Sequence, residues 1–551
     1  MQKPAQAQRP IFTYQARPVL DAQQAAVLDT YADLYGRAER SLFADLQAGG
    51  TINDLKRVFL PRFGITARQF NAIRVSLEGK IDSIKARRPE LISDLESRIK
   101  KAAKVIAKLI LKPSAAAKLH QKKRRLHILQ AKLASMQTDH KAGLVRLCFG
   151  SKRLFNAQFD LVANDYASHA DWKADWQASR ANQIFVLGSQ DETAGNQSCQ
   201  ATLAADGTID LQLRLPDAMQ QAHGKHLAIK GARFAYGNEA ITAALASSQR
   251  IASTTRAGKP TVKRIGSALS YRFVRDDKGW RVFVSCEAAP VQTTTRSAIG
   301  SIGVDINSNH LAVSELDRFG NLVEFHRIDL HTYGKSTDQA KALIGDAAVA
   351  VVELASKAGK PLVIEKLDFA KKKAELENTD ARQARMLSSF ACNKVIAAIK
   401  AAAFRAGVDV IEVNPAYTSV IGAVNHAQKN GVSVHIGAAV AIARRGLGLS
   451  ERLAVPRGLP VVVPVRSGGH ITFPPPVRMR GKHVWSQWSK VRTCLKAAHV
   501  AHGRSGVPQG RPAPLAPATR PLGAIRPVTV QSREVNRQHN CSAGVMEDGT
   551  F

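Results

Sequence analysis

The chain has 551 residues, too many for one ordinary domain, and 45% of them are hydrophobic, so it can bury more than one core. It carries 79 Lys and Arg against 44 Asp and Glu, and a formal net charge of +35 favours a polyanionic partner. We find neither an apolar run of about 18 residues nor a secretory signal, which argues against a membrane and for nucleic acid in the cytoplasm.

The first half of the chain changes its periodicity twice. Residues 10–16 predict a strand, and Asp21 is a favourable N-cap for a helix that continues to about Leu46. The pattern stays helical from 51 to 181. Residues 182–290 then alternate with period two, which predicts strands, and Asp276–Gly279 predicts a hairpin turn. The sequence therefore predicts a small β-unit with a helical insertion.

Residues 98–132, within that insertion, contain twelve Lys or Arg and no acid. A helix face that is merely solvated usually mixes both signs of charge, so we interpret this stretch as binding a phosphate backbone. The candidate contacts are Lys100, Lys101, Lys104, Lys108, Lys122, Lys123, Arg124 and Arg125.

The second half predicts an α/β unit. Strands are expected at 302–306, 311–316 and 322–325, followed by a helix at 337–358. The nearly apolar segments 362–365 and 408–413 are typical of strands buried on both faces, and a helix over 381–406 separates them. This βββαβαβα order is that of the RNase H superfamily.

Two carboxylates lie in the predicted central strands. Asp305 stands between Val304 and Ile306, and Glu365 follows Leu-Val-Ile. An unpaired charge is costly in such surroundings, so a function is indicated. Two carboxylates on adjacent strands can hold divalent cations that activate water and stabilise the leaving oxygen of a phosphodiester. We therefore expect a site for Mg²⁺ or Mn²⁺ formed by these two residues.

The six cysteines are scattered, and no two are three residues apart, so we expect neither a structural zinc nor a disulfide framework. Residues 451–551 hold 12 of the 23 prolines, with fifteen basic and four acidic residues. We expect some order around Val461–Val463, Trp485 and Trp488, and a basic, largely disordered tail from about Gly503.

Three segments resemble the TnpB family of transposon-encoded, RNA-guided nucleases and the related type V CRISPR effectors. GVDINSNHLAVSELD, from Gly303, resembles the first RuvC motif, VIEKLDF (363–369) the second, and VNPAYTS (413–419) the Tyr-Thr-Ser segment after the next strand. The resemblance implies that Asp305 and Glu365 are catalytic.

It also implies a domain order. Residues 1–50 and 182–299 would form a wedge β-unit, 51–181 a helical recognition insertion, and 300–450 an RNase H-like (RuvC) nuclease domain, with 451–551 as an extension. The partners would be a guide RNA from the transposon end and target double-stranded DNA with a short flanking motif, in a prokaryotic, nucleoid-associated protein.

The sequence departs from this family where the zinc ribbon and the third catalytic Asp are expected. Residues 420–431 contain no Cys, and His435 stands at the Asp position. Three residues compete as third ligand: His435 itself, Glu412 on the neighbouring strand, and Glu451, which we rank last because it lies one helix length away. A site that has lost catalysis is the remaining alternative.

Three other functions compete with an RNA-guided endonuclease. The first is a catalytically impaired, repressor-like RNA-guided DNA-binding protein, which His435 favours and the two carboxylates disfavour. The second is a transposase or resolvase acting without RNA, which predicts a DNA-binding domain that we do not find. The third is a structural RNA-binding protein, which leaves Asp305 and Glu365 unexplained.

Overall fold

The structure, a computed structural model, describes residues 9–111, 116–254, 260–289, 291–366, 392–455, 458–465, 469–477, 481 and 483–504. The chain divides into two compact units, Met1–Pro290 and Val291–Phe551. Among the described residues, no helix has the length and apolarity needed to cross a bilayer.

The strands of the first unit form two sheets and a ribbon. They are β1 (Ile11–Ala16), β2 (Gln183–Val186), β3 (Cys199–Leu203), β4 (Ile209–Arg214), β5 (His226–Ala232), β6 (Gln249–Thr254), β7 (Pro260–Ile265), β8 (Ser270–Asp276) and β9 (Gly279–Glu287). One sheet has the order β1-β9-β8-β2, the other β3-β4-β5, and β6 pairs with β7. The predicted turn at Asp276–Gly279 is confirmed, since these residues pair as the last register position of β8 and β9.

Eight α-helices complete the described part of this unit. They are α1 (Ala22–Gln47), α2 (Ile52–Phe63), α3 (Ala67–Ile110), α4 (Ala116–Lys141), α5 (Lys152–Ala157), α6 (His169–Arg180), α7 (Asp217–His223) and α8 (Asn238–Ala246). Asp21 caps α1 as predicted, in a reciprocal capping box with Gln24. The sequence analysis missed α7 and α8. The core of the unit contains Leu28, Phe70, Ile209 and Tyr271, so α1 and α3 pack with both sheets.

The second unit is built on a five-stranded mixed sheet. Its strands are β10 (Gly300–Ile306), β11 (His310–Asp317), β12 (Leu322–Asp329), β13 (Leu362–Glu365) and β14 (Val410–Val413). The sheet order is β12-β11-β10-β13-β14, with β10, β11 and β12 antiparallel and β10, β13 and β14 parallel. The predicted RNase H-like strand order is therefore confirmed.

Helices cover both faces of this sheet. They are α9 (Thr337–Ala358), α10 (Cys392–Arg405), α11 (Thr418–Ile421), α12 (Val434–Gly446) and α13 (Val484–Arg504), with a π-helix at Gly422–Ala427 between α11 and α12. Ile302, Val304 and Ile364 share a core with α9 and α10. Residues 381–391 of the helix predicted at 381–406, and residues 367–369 of the second motif, lie outside the described residues.

Helix α12 packs on the opposite face at very close range. A Cβ on Gly303 of β10 would lie 2.0 Å from the carbonyl oxygen of Ala439, and one on Gly437 would lie 2.4 Å from the carbonyl oxygen of Gly422. Only glycine tolerates these approaches. Gly303 thus lets α12 lie against β10, with the first turn of the helix beside the carboxyl end of that strand, and Gly437 lets α12 lie against the π-helix.

The segment after residue 450 belongs to the second compact unit, Val291–Phe551. Strands β15 (Val461–Pro464) and β16 (His470–Phe473) form a hairpin, and Trp488 of α13 is buried with it. These residues share a core with Ile421 and Ala441. The order expected at Val461–Val463 and Trp488 is confirmed, and the predicted tail from Gly503 lies almost wholly outside the described residues.

Candidate active site at the ends of the central strands

Asp305 and Glu365 lie side by side on adjacent parallel strands. Val304 of β10 pairs with Ile364 of β13, and the two carboxylates are the next residues of each strand. Val363 packs against Ile442 of α12. Because side chains alternate along a strand, Asp305 and Glu365 share the sheet face covered by α12. Neighbouring strands are about 4.8 Å apart, so the structure brings this predicted pair together.

Asp305 is only 9% exposed, and two polar groups contact its carboxylate. Asn307 donates from Nδ2 to Oδ2 over 2.9 Å, and Nδ1 of His435 lies 3.3 Å from the same oxygen. His435 follows Ser433, whose side chain caps α12, so the imidazole comes from the first turn of that helix. The structure therefore brings His435 into the Asp305 site.

A second imidazole supports this end of the site. His310 is buried, and its ring lies edge-on to that of His435 with centroids 5.0 Å apart. Burial, followed by the charge of Arg327, lowers the pKa of His310 from 6.5 to about 4, so the ring is neutral at pH 7. Nδ1 of His310 lies 2.8 Å from Oδ1 of Asn309, an acceptor, so Nδ1 carries the proton.

Glu365 is held by the segment that follows β14. Thr418, 1% exposed, donates its hydroxyl to Oε1 of Glu365 and lies 3.0 Å from the carbonyl oxygen of Pro415. Arg445 of α12 donates to the carbonyl oxygens of Asn414 and Ala416, which fixes the same segment to the helix. The Tyr-Thr-Ser segment thus acts on the second carboxylate.

We expect Thr418→Val to reduce activity by about 10- to 100-fold, since a hydrogen bond to a charged group contributes roughly 1.5–3 kcal/mol. Thr418→Ser keeps the hydroxyl and should retain most of the activity. Single-turnover cleavage rates of both variants, compared with their melting temperatures, check this. Wild-type rates in Thr418→Val, with a loss in Thr418→Ser, would show that the methyl group, and not the hydroxyl, matters at this position.

The structure does not bring Glu412 into the site. Glu412 pairs in register with Ile364, not with Glu365, so it shares the face of Ile364 and points toward α10. There it forms an ion pair of 2.8 Å with Lys400. Its position disfavours the proposed ligand role, because its carboxylate faces away from Asp305.

Glu451 serves a different, buried network. It contacts His426 at 2.7 Å and Arg444 at 3.2 Å, and Asn425 donates to it over 3.2 Å. Burial raises the pKa of Glu451. The hydrogen bond and charge of His426, the hydrogen bond from Asn425 and the charge of Arg444 outweigh this effect, so the pKa is lowered overall. This network ties the π-helix to the end of α12, and Glu451 is accordingly committed to structural contacts.

The donor set suits a hard divalent cation held by few protein ligands. Across the described ranges, no three His, Cys, Asp or Glu side chains are arranged to enclose a metal ion. Mg²⁺ commonly uses one or two carboxylates and completes its shell with water and substrate phosphate oxygens. Asp305 and Glu365 fit that pattern, and a nitrogen ligand such as His435 suits Mn²⁺ better than Mg²⁺.

The predicted phosphate contacts lie on two helices of the first unit. Helix α3 carries Lys100, Lys101, Lys104 and Lys108, and α4 carries the other four. Lys122 is partly buried and the rest are exposed. Within the part of the chain that the structure describes, none of the eight forms an ion pair. They thus present positive charge that no described carboxylate neutralises.

Several residues of the site escaped the sequence analysis. Asn307 and Thr418 bind the two carboxylates, and Arg445 fixes the segment that carries Thr418. Asn307 lies only two residues after Asp305, and Thr418 lies in the segment singled out for its resemblance. Both were thus within reach as candidates, but their roles depend on contacts made in the fold.

No protein-family model matches the chain, and no curated protein matches its sequence. Among solved structures, similarity is found to RuvC of Thermus thermophilus in complex with a Holliday junction substrate, at 19% identity over 26% of this chain and 90% of that chain, with a TM-score of 0.19. A Cas12f1–sgRNA–target DNA complex is similar at 11% identity over 79% of this chain and 99% of that chain, with a TM-score of 0.20. The assignment of the site rests on the strand order and contacts described above.

Proposed function

We propose that this protein is an RNA-guided, metal-dependent DNA endonuclease of the TnpB kind, encoded by an insertion sequence. The observation that carries the proposal is the pair Asp305 and Glu365, next to each other on parallel strands of an RNase H-like sheet, with His435 beside Asp305. The described residues of the three sequence segments that resemble TnpB proteins include Asp305, Glu365 and Thr418 of this site.

Each residue of the pair has a defined supporting contact. Asn307 orients Asp305, and Thr418 orients Glu365, so both carboxylates would be positioned before a ligand arrives. Asp305 and Glu365 would hold Mg²⁺ or Mn²⁺. Such a cation, when bound, supplies activation of water and stabilisation of the leaving oxygen at the scissile phosphodiester. The neutral His310 adds no positive charge beside the cation site.

Three observations favour an active site over one that has lost catalysis. Both strand carboxylates remain, and His435 contacts Asp305 from the helix that carries the third ligand in the family it resembles. A catalytically impaired DNA-binding protein would have no need for the Thr418–Glu365 contact. We therefore propose His435 as the third active-site residue.

The first unit would bind the guide RNA and its DNA target. Helices α3 and α4 would contact the phosphates of the duplex, while base pairing would read the sequence. The sheets of residues 1–50 and 182–299 would act as the wedge and, with the insertion, contact the flanking duplex motif.

Nucleic-acid affinity should fall steeply with salt, because each cation that neutralises a phosphate releases counterions. Replacing Lys122, Lys123, Arg124 and Arg125 with Gln should flatten the slope of log K against log salt by as much as about 3 to 4. Fluorescence anisotropy at several salt concentrations measures this slope. Arg37→Gln is the control, since Arg37 is paired with Asp33. An unchanged slope in the fourfold variant would mean that the cluster is only a solvated face.

The proposal is tested by recovering the guide. The protein is expressed with its flanking genomic DNA, the RNA that copurifies is sequenced, and plasmids with and without the matching target are offered in Mg²⁺ and in Mn²⁺. We expect cleavage of the matched plasmid alone. Cleavage without RNA would favour a transposase or resolvase, and bound but uncut target would favour the impaired, repressor-like protein.

A further inference from the structure

A cavity of about 500 Å³ opens in the first unit, and none of the eight predicted phosphate contacts lines it. It lies between α1, the segment after α4, and α5 and α6. Its lining residues are Arg40, Phe43, Arg146, Leu147, Cys148, Phe149, Lys152, Phe155, Asn156, Trp176 and Arg180. This volume is within the range of small-ligand sites.

The walls of the cavity are aromatic. Phe155 lies 5.5 Å from Trp176 between ring centroids, and Phe43 meets Phe149 edge-on at 5.7 Å. Phe155 remains 41% exposed. A Cβ on Gly150 would lie 3.2 Å from the ring of Trp176, so the chain turns closely against the indole. Trp176 is already stacked on Trp172, with ring centroids 6.1 Å apart. The exposed ring of Phe155 therefore offers the stacking surface for a planar ligand.

The charge of the cavity is positive. Four lining side chains are cationic, and among the described lining residues none is Asp or Glu. The side chain of Arg40 lies 3.3 Å from the carbonyl oxygen of Arg180, and the guanidinium of Arg180 lies 5.0 Å from the ring centre of Trp176. Arg146 is paired with Asp139 at the rim.

The two arginines also repel each other. Burial, followed by the charge of Arg180, lowers the pKa of Arg40 from its ordinary value. Nε of Arg180 is buried and has no hydrogen-bond partner among the described residues. An anionic ligand would relieve both costs, because it would neutralise the repulsion and accept from the guanidinium.

We propose that this cavity binds one unstacked nucleotide of a single strand, with its base against Phe155 and its phosphate between Arg40 and Arg180. Aromatic walls recognise the base without regard to sequence, and guanidinium groups recognise the phosphate. The strand is RNA or DNA, and the test separates the two. This proposal does not depend on the proposed nuclease activity, because its test measures binding of nucleic acid and not cleavage.

The test uses the full-length protein and fluorescein-labelled 12-nucleotide probes: rU12, dT12, and an abasic deoxy strand with the same number of phosphates. Wild type should bind base-containing strands better than the abasic strand, and Phe155→Ala should reduce this preference by on the order of tenfold. Phe159→Ala is the matched control, because Phe159 is 76% exposed and meets Phe155 edge-on but does not line the cavity.

A second pair of variants tests the positive charge of the cavity. Lys152→Gln, in the lining, should weaken binding of all three probes, and Lys173→Gln, exposed on α6 and outside the lining, should not. Loss of the preference with rU12 alone assigns the cavity to RNA, and loss with dT12 alone assigns it to DNA. If Phe155→Ala and Phe159→Ala discriminate bases from abasic sites equally well, the proposal is wrong, whatever the cleavage assay shows.

Discussion

Asp305→Asn should reduce DNA cleavage by roughly 10³-fold or more while leaving guide RNA affinity within about twofold of wild type. A bound cation contributes several kcal/mol of transition-state stabilisation, and each 1.36 kcal/mol corresponds to a tenfold change in rate. The substitution removes the negative charge at nearly constant shape. Asp305 contacts Asn307 and His435, and neither of these residues is a phosphate-binding candidate.

The experiment compares single-turnover cleavage and RNA affinity in the same preparations. Asp346→Asn is the control, because Asp346 is exposed on α9, away from the central strand ends. Glu365→Gln should reproduce the loss seen with Asp305→Asn. If Asp305→Asn cut the target in Mg²⁺ at the rate of Asp346→Asn, the assignment of the carboxylate pair would be wrong.

The second large effect is expected at the third active-site residue. His435→Ala should cost about 10- to 100-fold in activity, the range typical of outer contacts to a metal ligand, and more if the imidazole binds the cation itself. Glu412→Gln should be nearly neutral, because Glu412 faces the opposite side of the sheet and pairs with Lys400. The activities of these two variants therefore distinguish His435 from Glu412, which the sequence left as competing candidates.

His435→Asp sharpens this comparison. It places a hard oxygen ligand on the first turn of α12, so activity in Mg²⁺ should rise relative to activity in Mn²⁺. The measurement is the ratio of cleavage rates in the two metals for wild type and His435→Asp. Near-complete loss in Glu412→Gln, with wild-type rates in His435→Ala, would reverse the assignment.

Much of the fold could be predicted because the segments around Asp305, Glu365 and Glu412 carry strong patterns. Continuous apolar runs predicted the parallel strands, and their order with the helices predicted the sheet. The face on which each carboxylate lies could not be read in the same way. It depends on strand register, and a shift of one residue would have placed Glu412 on the same face of the sheet as Glu365.

Other features depend on contacts between distant segments. Thr418 reaches Glu365 only because Tyr417 adopts a left-handed conformation, with φ of 64°, and Arg445 holds the preceding carbonyls. The approach of α12 to β10 at Gly303 likewise follows from packing. Local sequence patterns contain no record of such long-range contacts, so these features required the structure.

Binding of Mn²⁺ tests most directly the claim that Asp305 and Glu365 form a divalent-cation site. The wild type, the double variant Asp305→Asn/Glu365→Gln and the control Glu412→Gln are titrated with Mn²⁺, and free ion is followed by electron paramagnetic resonance. We predict that wild type and Glu412→Gln bind Mn²⁺ equally and that the double variant loses this binding. Equal binding by all three proteins would contradict the account.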